Sequence, residues 1–262
     1  MHSQTILDFL GTSSCRADIG NDTASFVLNR DLMVDTGWCS VENLRTAGID
    51  PVEVPYLLLT HWHHDHYLSL PSLLFYHLCI KGDLGHLTIL GPAEDSNRVV
   101  SLAMDFLQVA RFYPNATPPK VITLDAGQTF ETEKFLLQTT ASLHAVQGLC
   151  SKFIDKHNGV VVGFTGDTAY QPTLGDFFHN CDILLHESSL GPVTANPSEN
   201  ERYLHSGALD AARVAQEAGV PHLVLLHGTT TQRPACLQAA RTVFSGMVSW
   251  PDRGGSYLIS KT

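Results

Sequence analysis

One stretch restricts what this chain can fold into: Thr60-His61-Trp62-His63-His64-Asp65-His66. It follows Pro55-Tyr56-Leu57-Leu58-Leu59, an apolar run that predicts a buried strand. The strand end therefore delivers His61, His63, Asp65 and His66 together into a loop or first helical turn. Imidazoles and a carboxylate at that density suit Zn, Fe or Mn rather than Ca or Mg. The alternative, a surface loop that happens to be rich in histidine, does not explain the His-x-His-x-Asp-His spacing directly behind an apolar strand.

Other donors stand at other predicted strand ends. Ser142-Leu143-His144 follows a strand over 134–141, Gly166-Asp167-Thr168 ends one over 160–165, and His227-Gly228 ends one over 223–226. Strand-to-loop junctions are where rigid scaffolds hold chemistry. Combined with the histidine loop, this gives His61, His63 and His144 for one metal and Asp65, His66 and His227 for a second, with Asp167 as the bridge. A bridging carboxylate keeps two cations a few ångströms apart and leaves room for a shared hydroxide. Zinc is the first expectation for both ions, with manganese and iron accepting the same donors.

The rest of the chain alternates between the two regular structures. Strands are predicted at 5–11, 25–29, 32–34, 56–59, 87–90, 121–124, 134–141, 160–165, 183–185 and 223–226. Helices are predicted at 40–47, 68–80, 95–112, 208–218 and 235–244, with a short one around Phe177 and Phe178. Strands gathered early in each half imply an α/β fold of two mixed sheets packed face to face and flanked by helices. With no linker or low-complexity tract, the expectation is one domain over residues 1–262.

Charge narrows the partners. The formal net charge is −10 and no cluster of four Lys or Arg occurs, which weighs against a large nucleic-acid footprint. Six cysteines are scattered without a Cys-x-x-Cys pair, so they read as reduced thiols rather than a disulfide framework. No apolar run approaches the ~18 residues of a membrane span, and no secretory signal is visible, so a cytoplasmic location without membrane contact is expected.

The series Thr60-His61-x-His63-x-Asp65-His66, His144, Asp167, His227 resembles the metallo-β-lactamase superfamily, and the resemblance implies its αββα sandwich. Within it the chain is similar to ribonuclease Z and its small phosphodiesterase relatives. Phe9-Leu10-Gly11-Thr12, Val34-Asp35-Thr36-Gly37, His66-Tyr67-Leu68-Ser69-Leu70-Pro71, Asp182-Ile183-Leu184-Leu185-His186-Glu187-Ser188 and His205-Ser206-Gly207-Ala208 carry that likeness. The resemblance implies His205 as the general acid facing a scissile phosphate, with Glu187 orienting it and favouring its charged form, and it implies dimers in many members. Asp65 doubles as metal ligand and proton acceptor.

Departures shift the expected substrate. Ribonuclease Z carries a tRNA-gripping arm between the regions matching His144 and Asp167. Here only residues 145–166 lie between them, with Lys152 and Lys156 as their basic residues, and the spacing from His227 to Arg233 is longer than in that family. A two-metal phosphodiesterase for a small or medium diester, such as a cyclic nucleotide, is therefore expected ahead of a tRNA 3′-endonuclease or a hydrolase of carboxylic, thiol or sulfuric esters. A metal-holding module without turnover is the alternative outside the enzymes. A homodimer remains open, since residues 68–80 are apolar enough to serve a partner as well as the core.

Several residues are set aside. His186-Glu187 is not a zinc-protease motif, because position 190 is Leu. His64 reads as a neighbour of the ligands, and Asp35 as their hydrogen-bonding support. Thr229 and Thr230 read as turn residues. Asp18, Asn21 and Asp22 read as polar loop residues, and His2, His77, His86, His157, His179 and His222 as ordinary histidines.

Overall fold

Apolar runs without polar alternation need cover on both faces, and the chain supplies it with four layers. The computed structural model describes residues 4–195 and 202–261. His2 lies outside the described residues.

The first sheet runs in the order β14-β1-β2-β3-β4-β5-β6. Its strands are β1 (Thr5–Gly11), β2 (Ser25–Leu28), β3 (Leu32–Val34), β4 (Tyr56–Leu58), β5 (Thr88–Pro92), β6 (Lys120–Leu124) and β14 (Ser256–Ile259). The second runs β13-β12-β11-β10-β9-β8-β7. It holds β7 (Thr129–Glu131), β8 (Phe135–Ala141), β9 (Leu149–Asp155), β10 (Val161–Phe164), β11 (Ile183–Glu187), β12 (His222–Leu226) and β13 (Met247–Ser249). Both sheets are mixed. Strands β3 to β6 are parallel, as are β10 to β13, while the remaining pairs are antiparallel.

Helices cross over between the parallel strands. On the first sheet these are α1 (Ser40–Thr46), a 3-10 turn at Pro51–Glu53, α2 (His64–Tyr67), α3 (Leu70–Lys81), α4 (Ser96–Phe106) and α5 (Val109–Phe112). On the second they are α6 (Thr173–Phe178), α7 (Ala208–Ala218) and α8 (Arg233–Ala240).

The period of two then sorts each strand's side chains. In β4, Leu58 joins Phe9, Phe26, Phe135, Phe153 and Phe164 between the sheets, while Leu57 packs under Leu70, Leu74 and Leu78. In β12, Val224 and Leu226 face the same central core, and Leu223 and Leu225 face Ala208, Ala211, Ala212 and Ala215 of α7. This is the αββα sandwich implied by the sequence.

Four strands escape the sequence reading: β7, β9, β13 and β14. The predicted helix over 95–112 is also two helices, broken at Gln108, which adopts φ 51°. The cause is geometric. At ~3.6 residues per turn, Val109 would lie about half a turn away from Val100 on a continuous helix. The break lets both bury. The predicted helix over 235–244 starts two residues earlier and stops at Ala240.

Candidate metal centre and active site

Parallel strands point their C-terminal ends to one rim, and in both sheets that rim collects the predicted donors. His61, His63, Asp65 and His66 follow β4, His144 follows β8, Asp167 follows β10, Glu187 ends β11 and His227 follows β12. Two tight turns make the approach possible. Gly166 sits at φ 58°, where a Cβ would meet the Thr60 side chain at 2.9 Å, so the glycine lets the β10 turn press against the histidine loop. His227 itself is left-handed at φ 56°, and its N–H donates to Thr12 O at 2.9 Å, which binds it to the end of β1.

Seven predicted donors meet in one cluster. Ligand atoms of His61, His63, His144 and Asp167 lie within 4.8 Å of one another, as do those of Asp65, His66 and His227. His144 Nε2 stands 2.9 Å from His63 Nδ1, and His227 Nε2 stands 3.1 Å from Asp65 Oδ2. Asp167 lies between the groups, 3.7 Å from His61 Nε2, 3.4 Å from His66 Nε2 and 3.4 Å from His227 Nδ1.

The donor chemistry fits cations. Among the described residues, His61 Nε2, His66 Nε2 and Asp167 Oδ1 are buried without a hydrogen-bond partner. Buried polar atoms rarely stay unpaired, and three aimed into one cluster need a ligand. The outer ring nitrogens explain their direction. His66 Nδ1 donates to Asp35 Oδ2 at 2.7 Å. Thr60 Oγ1 donates to the same carboxylate at 2.8 Å, so it accepts from His61 Nδ1 at 3.0 Å. His144 Nδ1 donates to Leu204 O at 3.2 Å. In the neutral ring each Nε2 therefore turns its lone pair toward the cluster, as metal-binding imidazoles require.

Burial and charge tune the groups in opposite senses. Burial lowers the pKa values of His61, His63 and His144, which favours the neutral ligand form. For His66 burial acts the same way, but Asp167 and Asp35 outweigh it and raise the pKa well above the ordinary value. Burial would raise Asp65 and Asp167, yet the neighbouring histidines win. They bring Asp65 down to about 2 and hold Asp167 well below the usual carboxylate range.

His205 stands at the edge of this cluster. Its Nδ1 is 2.9 Å from Glu187 Oε1 and 3.7 Å from Asp167 Oδ2. Burial opposes its charge, but Glu187 dominates and lifts the pKa to about 9. Glu187 is fixed in turn, accepting from Thr168 N at 2.9 Å and from Ser189 N at 3.1 Å.

The residues set aside divide differently. His64 is exposed and its ring lies 5.9 Å from Tyr67, outside the donor cluster. Thr229 Oγ1 donates to Gln232 Oε1, within its own turn. Asp22 is one residue whose role the sequence reading missed. It is buried and accepts from Trp38 N, Cys39 N and Asn43 Nδ2, while neighbouring Thr23 Oγ1 donates to Asp65 O at 2.7 Å. Asn21-Asp22-Thr23 reads as an ordinary turn, so no local pattern marks it as an anchor.

Known proteins place this architecture. Ribonuclease Z of Lactobacillus johnsonii is 25% identical over 84% of this chain and 87% of its own length. Among solved structures, the metallo-β-lactamase fold protein YhfI of Bacillus subtilis superposes with a TM-score of 0.80 at 23% identity, over 97% of this chain and 99% of that one. Human tRNase Z, short form, gives 0.73 at 17% identity, over 96% and 98%. The family model described as Anti-Pycsar protein Apyc1 matches residues 5–199, a stretch that contains the histidine loop, His144, Asp167 and Glu187, with His205 and His227 beyond it. The chain belongs to the Anti-Pycsar protein Apyc1 family and is a metal-dependent hydrolase of the metallo-β-lactamase fold, close to ribonuclease Z.

Proposed function

We propose that this chain is a two-metal phosphodiesterase acting on a small or medium phosphodiester, such as a cyclic nucleotide. The observation that carries the reading is the Glu187–His205 pair, 2.9 Å apart, beside the donor cluster. It supplies an acid held in its charged form next to where a phosphate would bind.

His61, His63, His144 and Asp167 would hold one ion, and Asp65, His66 and His227 the other, with Asp167 shared. Zinc is the first choice and manganese or iron the alternatives. When bound, such ions acidify water and neutralise charge on a phosphoryl oxygen. The chain's own groups do the rest. Asp65, kept ionised by the histidines around it, accepts the proton of the attacking water. His205 donates a proton to the leaving alkoxide, and Glu187 keeps it aimed and charged.

Size and charge at the site support a compact substrate. A hollow of about 340 Å³ opens beside His144, lined by Trp62, Glu94, Asp95, Ser142 and Gln147 among others, with neither Lys nor Arg among the described residues of its wall. That is small-molecule scale and offers nothing to a run of phosphates. Between His144 and Asp167 the chain forms β9 and β10 of the sheet rather than an arm. A second reading, cleavage of RNA, is favoured by curated relatives named ribonuclease Z.

A substrate panel separates them: a cyclic nucleotide, bis-p-nitrophenyl phosphate, a p-nitrophenyl carboxylic ester and precursor tRNA. The expected outcome is phosphodiester turnover that His205→Ala lowers by roughly 10²–10⁴-fold for the alkoxide leaving group. The loss is smaller for p-nitrophenolate, which leaves without a proton, and metal content is unchanged. Turnover confined to the carboxylic ester, and indifferent to His205→Ala, would sink the proposal.

A further inference from the structure

His227 is supported differently from His61 and His66. His61 and His66 are aimed by Asp35 of the first sheet, His66 directly and His61 through the Thr60 hydroxyl. Nothing from that sheet reaches His227 Nδ1 as a hydrogen-bond partner among the described residues. Instead Ser189 Oγ lies 2.7 Å from His227 Nδ1 and 2.6 Å from Glu187 Oε2. The arrangement mirrors Thr60: a hydroxyl between an imidazole and a buried carboxylate.

We infer that Ser189 is a positioning residue that fixes the ring of His227 for the ion it would share with Asp65 and His66, and that ties this ion to the carboxylate holding His205. This rests on the two-metal reading above. The argument is a proton count. A hydroxyl carries one proton, and an ionised carboxylate only accepts. Ser189 gives its proton to Glu187 Oε2, so its lone pair is left to accept from His227 Nδ1–H. His227 Nε2 is then unprotonated, facing Asp65 Oδ2 at 3.1 Å. Two acceptors at that distance repel unless something positive stands with them, and a cation held by these residues would relieve the pair. The reverse count, with Ser189 donating to Nδ1, puts a proton on Nε2 and leaves Glu187 Oε2 without the hydroxyl donor.

Glu187 thus serves two clients. Oε1 receives His205 Nδ1 and Thr168 N, and Oε2 receives the hydroxyl and N–H of Ser189. The end of β11 is held for the task, because Ser188 N and Oγ both donate to Leu226 O, one residue before His227. A displacement of the serine hydroxyl would be felt by the acid and by one metal position, and not by the position built from His61, His63 and His144.

The test uses the full chain, stripped of metal and titrated with Zn²⁺ or Mn²⁺ alone, with Co²⁺ absorption as a second readout of coordination. Ser189→Ala is expected to weaken one of the two ions by about 10–100-fold, the usual effect of removing such a support, with the other ion unaffected. Ser189→Thr, which keeps the hydroxyl, is expected to restore that affinity. With metal limiting, turnover of a diester follows the affinity, and saturating metal recovers most of it. Wild-type affinity for both ions in Ser189→Ala would overturn the inference, as would equal weakening of both ions or no rescue by threonine. If no phosphodiester is cleaved by any form while Ser189→Ala still loses one ion, the substrate proposal fails and the role of Ser189 stands.

Discussion

Replacing Glu187 by Gln keeps the shape of the side chain and removes the charge that dominates His205. The carboxylate lifts the His205 pKa to about 9 against the opposing effect of burial. Without it, burial pulls the imidazole to its ordinary value of about 6.5 or below. At pH 8 the protonated fraction then falls from roughly nine-tenths to about one-thirtieth, a factor of about 30. At pH 5.5 both forms are largely protonated and the factor approaches one. The assay is a pH profile of kcat at saturating metal, on a diester whose leaving group is an alkoxide. The alkaline limb, near pH 9 in the wild type, should move to about pH 6.5 or lower in Glu187→Gln. Stability should follow with a defined sign. A histidine whose folded pKa is raised contributes stability that is complete below about pH 6.5 and lost as pH rises through about 9. The pH-dependent part of the destabilisation should therefore be largest near pH 6 and vanish above pH 9. An alkaline limb that stays in place, or a loss of rate equal at every pH, would refute the assignment of His205 as a carboxylate-supported acid.

Three further outcomes are expected. Asp167→Ala removes the carboxylate that groups with His61, His63 and His144 and lies 3.4 Å from both His66 and His227, so elemental analysis should find at least one ion lost, and full occupancy would contradict the bridge. Chelation should lower Tm in differential scanning calorimetry, since a site filled at 100 times its Kd adds about 2.7 kcal/mol; an unchanged Tm would mean the cluster holds no ion. Gly207→Ala places a Cβ 1.9 Å from Val193 O, a backbone atom. It should cost about 1–3 kcal/mol in urea unfolding and depress turnover by shifting His205 two residues upstream; a wild-type midpoint would show that the loop gives way freely.

What the sequence revealed follows the range of the forces involved. The histidine loop is legible because four donors share one turn and the strand before it is apolar on both faces. His144, Asp167 and His227 are legible only in combination, since each is a single polar residue at a strand end. Strand β14 is not legible: Ser256–Ile259 is short and exists because it pairs with β1, from Thr5↔Ile259 to Asp8↔Ser256, across nearly the whole chain. Strand β9 hides for another reason. Lys152 interrupts its apolar run, and the inward pattern of Leu149 and Phe153 becomes visible only once β8 and β10 flank it. Asp22, Thr60 and Ser189 show the remaining limit. Hydroxyl and carboxylate supports act through a few hydrogen bonds, many of them to residues distant in sequence, so no local pattern marks the support role.

The hydrogen bonds that Asp35 accepts carry a kinetic consequence. With His66 tethered directly and His61 through a hydroxyl, neither ring has to turn when a cation arrives, so capture loses little torsional freedom. Uptake at this rim should then be paced by how fast the hydrated ion sheds its own water, and different divalent ions should load at rates ranked by that exchange rather than by their final affinity.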